Sequence, residues 1–148
     1  EPYSYGEPAA TIAVQALHLR YRLLPYIRLV VDQSSRTGLP VQRAMALAFP
    51  DEPLAWSFEH QFMFGDDLLV VPCLNPDGLV RFYLPRGEWR RFEPDGRLWE
   101  GGNDYSMTLR LDELAVFVRA GRRVPLAAER PFIGHAREDI DIVEYWPH

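Results

Sequence analysis

The chain has 148 residues, 47% of them hydrophobic, a proportion typical of a folded globular protein rather than a disordered one. Its net charge is -5 and its 16 basic residues are all arginines, so the sequence offers no basic tract and nucleic acid is not an expected partner. No apolar run is long enough to cross a bilayer, and we expect a soluble, cytoplasmic protein without a membrane partner. The sequence starts at Glu1 with neither a methionine nor a signal peptide, and we expect it to be part of a longer chain.

The first part of the sequence predicts helices and one buried strand. Apolar residues recur at spacings of three and four across residues 8–36, which predicts a long amphipathic helix. Pro25 should kink this helix, and Gly38 suits its end. Residues 41–49 are small or apolar on both faces, which predicts a strand covered on both sides, as in a parallel sheet or barrel. Residues 51–64 resemble a short helix.

After Gly65 the sequence changes to short runs rich in valine and aromatic residues, separated by turn sequences such as NPDG, PRG and PDG. This pattern predicts a meander of antiparallel strands that forms a β-sandwich or an open barrel. Cys73 lies in the first of these apolar runs, and we expect it to be buried and unable to form an internal disulfide.

Two adjacent carboxylates, Asp66 and Asp67, invite an acid/base interpretation. Adjacent side chains of an extended segment point to opposite faces, so this pair cannot act together on one substrate. We therefore predict a turn in which both side chains bond to local backbone amides.

Histidines and carboxylates elsewhere in the sequence are further candidate site residues. His18 lies in the predicted long helix and His60 at a helix end, and a structural role is favoured for both. His135, Asp139 and Asp141 form the best cluster in the tail, because residues two apart on a strand share a face and a nearby histidine can complete a cation site. The apolar residues between them favour a strand whose polar face meets water, so we expect no metal site and no cofactor.

Three aromatic residues, Trp89, Phe92 and Trp99, are candidates for a platform that stacks on sugar rings. Aromatic residues of a small sandwich more often pack in its core or between domains. We favour packing.

Several motifs in a fixed order carry a family resemblance: LHLRYRLLPYI, TGLPVQRAMALAFPDEP, HQFMFGDDLLVVP, FYLPRGEWRRF and LAVFVRAGRRVPL. Together they resemble the C-terminal part of family 31 glycoside hydrolases, which are α-glucosidases, α-xylosidases and relatives. The resemblance implies an α+β fragment in which residues 1–64 are the last helices and final strand of a (β/α)8 barrel. Residues 65–127 would form the proximal antiparallel β-sandwich, and residues 128–148 a tail or the start of a further β segment.

The resemblance also implies an activity for the parent chain, the retaining hydrolysis of terminal α-glucosidic or α-xylosidic bonds in an oligosaccharide or glycoside substrate. The family places its nucleophile in a motif of the type Trp-x-Asp-Met-Asn-Glu, and its acid/base Asp also lies upstream. Neither motif is present, so we expect no catalytic residue here and an inactive fragment. Phe49 and Asp51, at the C-terminal end of the predicted last barrel strand, are the residues expected near the substrate cleft.

Two alternatives remain open. The chain can be a non-catalytic β-sandwich module that binds carbohydrate or another partner, or an inactive scaffold. The apolar surface of residues 12–31 distinguishes a barrel fragment from these alternatives. If the barrel is absent, this surface lacks a sufficient partner in the chain. For a severed barrel fragment we expect self-association or fraying of residues 12–49.

Overall fold

In the computed structural model, side chains are described for residue 4 and for residues 6–92 and 97–127, and strand 140–145 is described by its backbone. Two helices come first, and strands dominate from residue 62 onward. The elements in chain order are α1 (Ala9–Arg22), α2 (Leu24–Thr37), β1 (Gln42–Ala44), α3 (Met45–Ala48), a 3-10 helix (Pro53–Ser57), β2 (Phe62–Phe64), β3 (Leu68–Val71), β4 (Leu79–Leu84), β5 (Glu88–Arg91), β6 (Leu98–Glu100), β7 (Asn103–Thr108), β8 (Ala115–Arg119), β9 (Arg122–Ala127) and β10 (Ile140–Tyr145).

The predicted long helix is divided into α1 and α2 at Leu23. Pro25 lies in the first turn of α2, where its missing N–H would have had no partner within the helix. Gly38 ends α2 in a left-handed conformation, with φ of 74°, and its N–H donates to the carbonyl of Ser34. The predicted interruption and the predicted end of the helix are therefore confirmed.

The prediction of a parallel barrel strand over residues 41–49 is wrong in both extent and pairing. Only β1 is extended, and it pairs antiparallel with β2. The following Met45–Ala48 segment is helical, because alanine, leucine and methionine have the highest helix propensities and outweigh the two-sided apolar pattern. The helix predicted over residues 51–64 is likewise reduced to the 3-10 helix Pro53–Ser57, followed by strand β2.

The strands are antiparallel, as predicted, but the predicted meander is wrong, because β8 lies between β3 and β5 and β4 pairs with β7. A six-stranded sheet has the order β1-β2-β3-β8-β5-β6, and two separate pairs are formed by β4 with β7 and by β9 with β10. Leu69 and Phe117 of the sheet pack in one core with β4 residues, whereas Leu68 and Val118 pack in a second core with α2 and β9. Alternation along each strand thus buries both faces of the sheet, with β4 and β7 on one side and α2 with β9 on the other.

Cys73 is exposed, contrary to the prediction of burial. Strand β3 ends at Val71, and Pro72 has no N–H to extend the ladder, so the chain leaves the sheet before the cysteine is reached. No helix within the described residues is both long and apolar enough to cross a membrane.

Candidate functional site

The turn between β2 and β3 contains the acidic pair that the sequence singled out. Asp66 accepts a hydrogen bond of 2.6 Å from Nε2 of Gln33 and pairs with the guanidinium of Arg43. Asp67 directs Oδ1 toward Nε of Arg122, at 3.5 Å. The predicted turn is confirmed, but the two carboxylates bind distant side chains rather than the local backbone amides.

Tyr26 of α2 anchors the helix to this turn. Its hydroxyl donates to the carbonyl of Phe64 at 2.9 Å and accepts from the backbone N–H of Asp67 at 3.2 Å. The side chain is fully buried, and this burial raises the pKa of Tyr26 well above its usual value. Gly65 makes the close approach possible, since a Cβ there would lie 2.6 Å from both Oη of Tyr26 and Cγ2 of Val30.

The two carboxylates differ in their electrostatic environment. The hydrogen bond from Gln33, with the ion pair to Arg43, lowers the pKa of Asp66. Burial raises the pKa of Asp67, although the positive charge of Arg122 opposes this effect. Retaining glycosidases need two carboxyl groups about 5–5.5 Å apart that converge on one bond, whereas these two engage different partners. The geometry therefore gives the pair a structural role.

Phe49 and Asp51 lie in the loop of residues 49–52, which follows α3. Phe49 is half-buried, and its ring centroid lies 5.3 Å from Cζ of Arg119 on β8. Its carbonyl accepts from the indole N–H of Trp56 at 3.2 Å, while the side chain of Asp51 is exposed. The assignment of these two residues to a substrate cleft stays a prediction.

Glu52 ties the other end of the 49–52 loop to the strands. Its Oε2 accepts a hydrogen bond of 2.8 Å from the hydroxyl of Tyr83 on β4, and the backbone N–H of Arg86 points at both of its carboxylate oxygens. Burial and this bond to Glu52 raise the pKa of Tyr83 to about 12. The loop is therefore held at its first and last residues by the β-sandwich.

The remaining candidates of the described region have structural positions. His18 and His60 are exposed. Trp89 and Phe92 are 0% and 4% exposed, and Trp99 packs edge-on against the aromatic core. The interpretation as packing residues is confirmed, because the rings of Trp89 and Phe92 are buried and the half-buried Trp99 packs against the core.

The predicted cluster of the tail lies outside the residues whose side chains are described. His135 and Asp139 lie outside the described residues, and Asp141 is on β10, of which the backbone alone is described. Where side chains are described, no group of three or more histidine, cysteine or acidic residues is arranged to hold a metal ion.

A groove of about 550 Å³ separates α1 from the turn of residues 111–114. Mostly apolar side chains line it, including Leu19, Phe92 and Leu114. Arg91 is buried there and faces Glu113, with 3.9 Å between Nη2 and Oε1. An open apolar groove of this kind is typical of a surface that packs against another part of a protein.

Sequence reasoning missed the contacts of Tyr26, Glu52 and Arg119. The sequence patterns singled out none of these three residues. Their partners are far away along the chain, so no local pattern indicates them.

The fold is an antiparallel sandwich with attached helices, and its central acidic pair is engaged in structural contacts. The model of the glycosyl hydrolase family 31 C-terminal domain matches residues 38–123, more than half of the chain. The chain therefore belongs to glycosyl hydrolase family 31, and the resemblance of its motifs is confirmed.

Characterised relatives include glycosidases and a transferase. The chain is 30% identical over 132 residues to an alpha-xylosidase of Emericella nidulans, covering 84% of this chain and 17% of the relative. It is 39% identical over 108 residues to an isomaltosyltransferase of Sporosarcina globispora, covering 72% of this chain and 10% of the relative.

Solved structures show the same arrangement. A Flavobacterium johnsoniae family 31 dextranase complexed with isomaltotriose matches 99% of this chain and 18% of its own, with a TM-score of 0.92 and 27% identity. An alpha-xylosidase from a soil metagenome complexed with xylose matches 80% of this chain and 18% of its own, with a TM-score of 0.75 and 37% identity. The chain thus spans less than a fifth of the length of these relatives.

Proposed function

We propose that the chain is the C-terminal part of a retaining α-glycosidase that hydrolyses terminal α-glucosidic or α-xylosidic bonds. Its helices α1 and α2 complete the (β/α)8 barrel, and the sheet that begins at β1 belongs to the sandwich that supports the barrel. The catalytic carboxylates lie upstream of this chain, which alone is inactive.

One observation carries the proposal: the chain aligns over 99% of its length, helices and sandwich together, with a family 31 enzyme that is complexed with an α-linked glucose oligosaccharide. The two parts thus recur as one unit in a glycosidase. The contacts of Tyr26 and Glu52, which bind the helical and loop segments to the strands, are what such a unit requires.

In the parent enzyme, one carboxylate attacks the sugar and the second acts first as acid and then as base. This chain contributes position rather than chemistry. Phe49 and Asp51 line the substrate cleft, and the strands behind them keep the 49–52 loop in place.

The test compares two proteins. The full-length polypeptide that contains these residues is assayed with aryl α-glucosides and aryl α-xylosides, and the anomer released is followed by NMR. We expect turnover of at least one substrate class with retention of configuration, and no turnover by residues 1–148 alone. A folded full-length protein that turns over neither class, an inverted product, or activity of residues 1–148 would overturn the proposal.

Transglycosylation is a second candidate, favoured by the 39% identity to an isomaltosyltransferase. A glycosyl-enzyme intermediate can be attacked by a sugar hydroxyl instead of water. Product analysis with an unlabelled isomalto-oligosaccharide distinguishes the two, because transfer yields products longer than the substrate and hydrolysis yields shorter ones.

A further inference from the structure

Arg119 lies between two aromatic rings that belong to different parts of the chain. Its Cζ is 5.4 Å from the ring centroid of Trp89 and 5.3 Å from that of Phe49. Trp89 is fully buried and is fixed further by its indole N–H, which donates to the carbonyl of Pro85 at 2.7 Å. The guanidinium therefore lies within cation–π distance of a rigid ring of the sandwich and also of the ring of Phe49.

The backbone of Arg119 is fixed as well. Its N–H donates to the carbonyl of Asp67 at 3.1 Å, and the next residue, Ala120, donates to the carbonyl of Glu88 at 2.8 Å. The side chain consequently starts from a fixed point at the end of β8. Because its backbone is fixed to the sheet, Arg119 fixes the position of the Phe49 ring relative to the sheet.

Glu52 provides a second, independent support for the same loop through Tyr83 and the N–H of Arg86. Asp51, which is exposed, is therefore placed between two anchored residues, Phe49 and Glu52. Loss of either anchor removes one link between the loop and the strands, whereas the backbone bond from the N–H of Glu52 to the carbonyl of Phe49, at 3.1 Å, stays within the loop.

We propose that Arg119 and Glu52 are positioning residues that hold the 49–52 loop for substrate binding. The inference rests on the proposed function, in which Phe49 and Asp51 line the cleft. A small displacement of a substrate-positioning segment weakens binding and orientation, although the residue that was changed touches no reacting atom.

Arg119 and Glu52 hold the loop by different interactions, so different substitutions remove each of them. A planar guanidinium can stack on both rings at once, whereas a lysine ammonium keeps the charge and loses the planar contact. Glutamine at position 52 keeps one acceptor oxygen for Tyr83 but no longer offers a charged acceptor to the N–H of Arg86.

The experiment measures KM and kcat of the full-length protein with the substrate on which the wild type is active. The variants are Arg119→Gln, Arg119→Lys and Glu52→Gln. Arg81→Gln is the matched control, because Arg81 also lies over an aromatic ring, that of Phe58 at 5.8 Å, but belongs to β4 and does not contact the loop. Thermal unfolding followed by circular dichroism accompanies each variant.

We expect Arg119→Gln to raise KM about tenfold with a smaller change in kcat, because binding contacts made in both the ground and the transition state are lost. Arg119→Lys and Glu52→Gln should each raise KM about threefold, and the control should leave KM unchanged. A KM within twofold of the wild type in folded Arg119→Gln, or an equal rise in the control, would overturn the inference. If Arg119→Gln does not fold, Arg119→Lys and Glu52→Gln decide by the same criterion.

The outcomes separate the two proposals. A wild-type protein inactive on every α-glycoside refutes the proposed function before any variant is compared. An active wild type whose loop variants are kinetically unchanged refutes the positioning role alone.

Discussion

Substitution of Gly65 by alanine tests the contact between α2 and the β2–β3 turn. Gly65 has φ of 65°, and a Cβ there would lie 2.6 Å from Oη of Tyr26 and from Cγ2 of Val30. Neither neighbour can move away easily. Val30 is 1% exposed, and the tyrosine hydroxyl is bonded both to the carbonyl of Phe64 and to the N–H of Asp67.

The magnitude follows from two contributions. A left-handed conformation costs a residue with a Cβ about 1–2 kcal/mol, and forcing a methyl group into a packed site costs about 1–3 kcal/mol. Gly65→Ala should therefore lower the free energy of unfolding by about 3 kcal/mol. Gly38 is the matched control, because its φ is 74° and a Cβ there would meet no atom within 4 Å. Gly38→Ala should cost about 1 kcal/mol, the conformational part alone.

The measurement is urea unfolding of residues 1–148, monitored by tryptophan fluorescence. All variants are analysed with one common dependence of the free energy of unfolding on urea concentration. The difference between the two variants isolates the steric part, expected at about 2 kcal/mol. Equal losses for Gly65→Ala and Gly38→Ala would show that Tyr26 and Val30 yield to the methyl group. The helix would then not be pinned as described.

Four further predictions concern the acidic pair, the exposed cysteine and the N-terminal helices. At pH 7, Asp66→Asn should lower the free energy of unfolding by about 1 kcal/mol, because the buried Arg43 loses a charged acceptor, although solvent screens this partly exposed carboxylate. The difference should vanish as pH falls below the usual aspartate range, where the carboxylate is protonated. Asp67→Asn should be neutral or stabilising at pH 7. Burial disfavours the charged form of Asp67, so the stability linked to its raised pKa is lost as pH rises. A loss in urea unfolding as large as that of Asp66→Asn would refute this. Cys73 should react with a thiol reagent at similar rates before and after denaturation, and strong native protection would contradict its exposed position. Residues 12–31 expose apolar side chains, including Val14, Leu17 and Leu29, so residues 1–148 alone should self-associate at high concentration, whereas a monomer by light scattering would show that these residues are self-sufficient.

Local patterns predicted the parts of the fold that depend on neighbouring residues. The turn at Gly65 and the alternating strands after it followed from glycine placement and from a period of two. The same reasoning failed for Met45–Ala48, because a short apolar run does not distinguish a strand from a short helix, and in this helix only Met45 is buried. It failed for Cys73 because an apolar run does not show where pairing stops.

The supports of the 49–52 loop could not be predicted from the sequence. Arg119 reaches Phe49 and Trp89 only because β8 and β5 are neighbours in the sheet and α3 ends above them. A stacked arginine and a solvent-facing arginine look alike in a sequence. The three-dimensional arrangement alone distinguishes them.

The pairing of β1 with β2, and of β2 with β3, bears on how such a protein exchanges segments with its relatives. A chimera joined between residues 64 and 65 would take two hydrogen-bonded strands of one sheet from one parent and the other four from the second parent. A junction at Gly38, where α2 ends and the family match begins, leaves the whole ladder within one parent. Natural recombination and designed domain swaps in this family should both favour a junction at Gly38. All hydrogen-bonded strand pairs of the sheet then come from one parent, in which the strands evolved together.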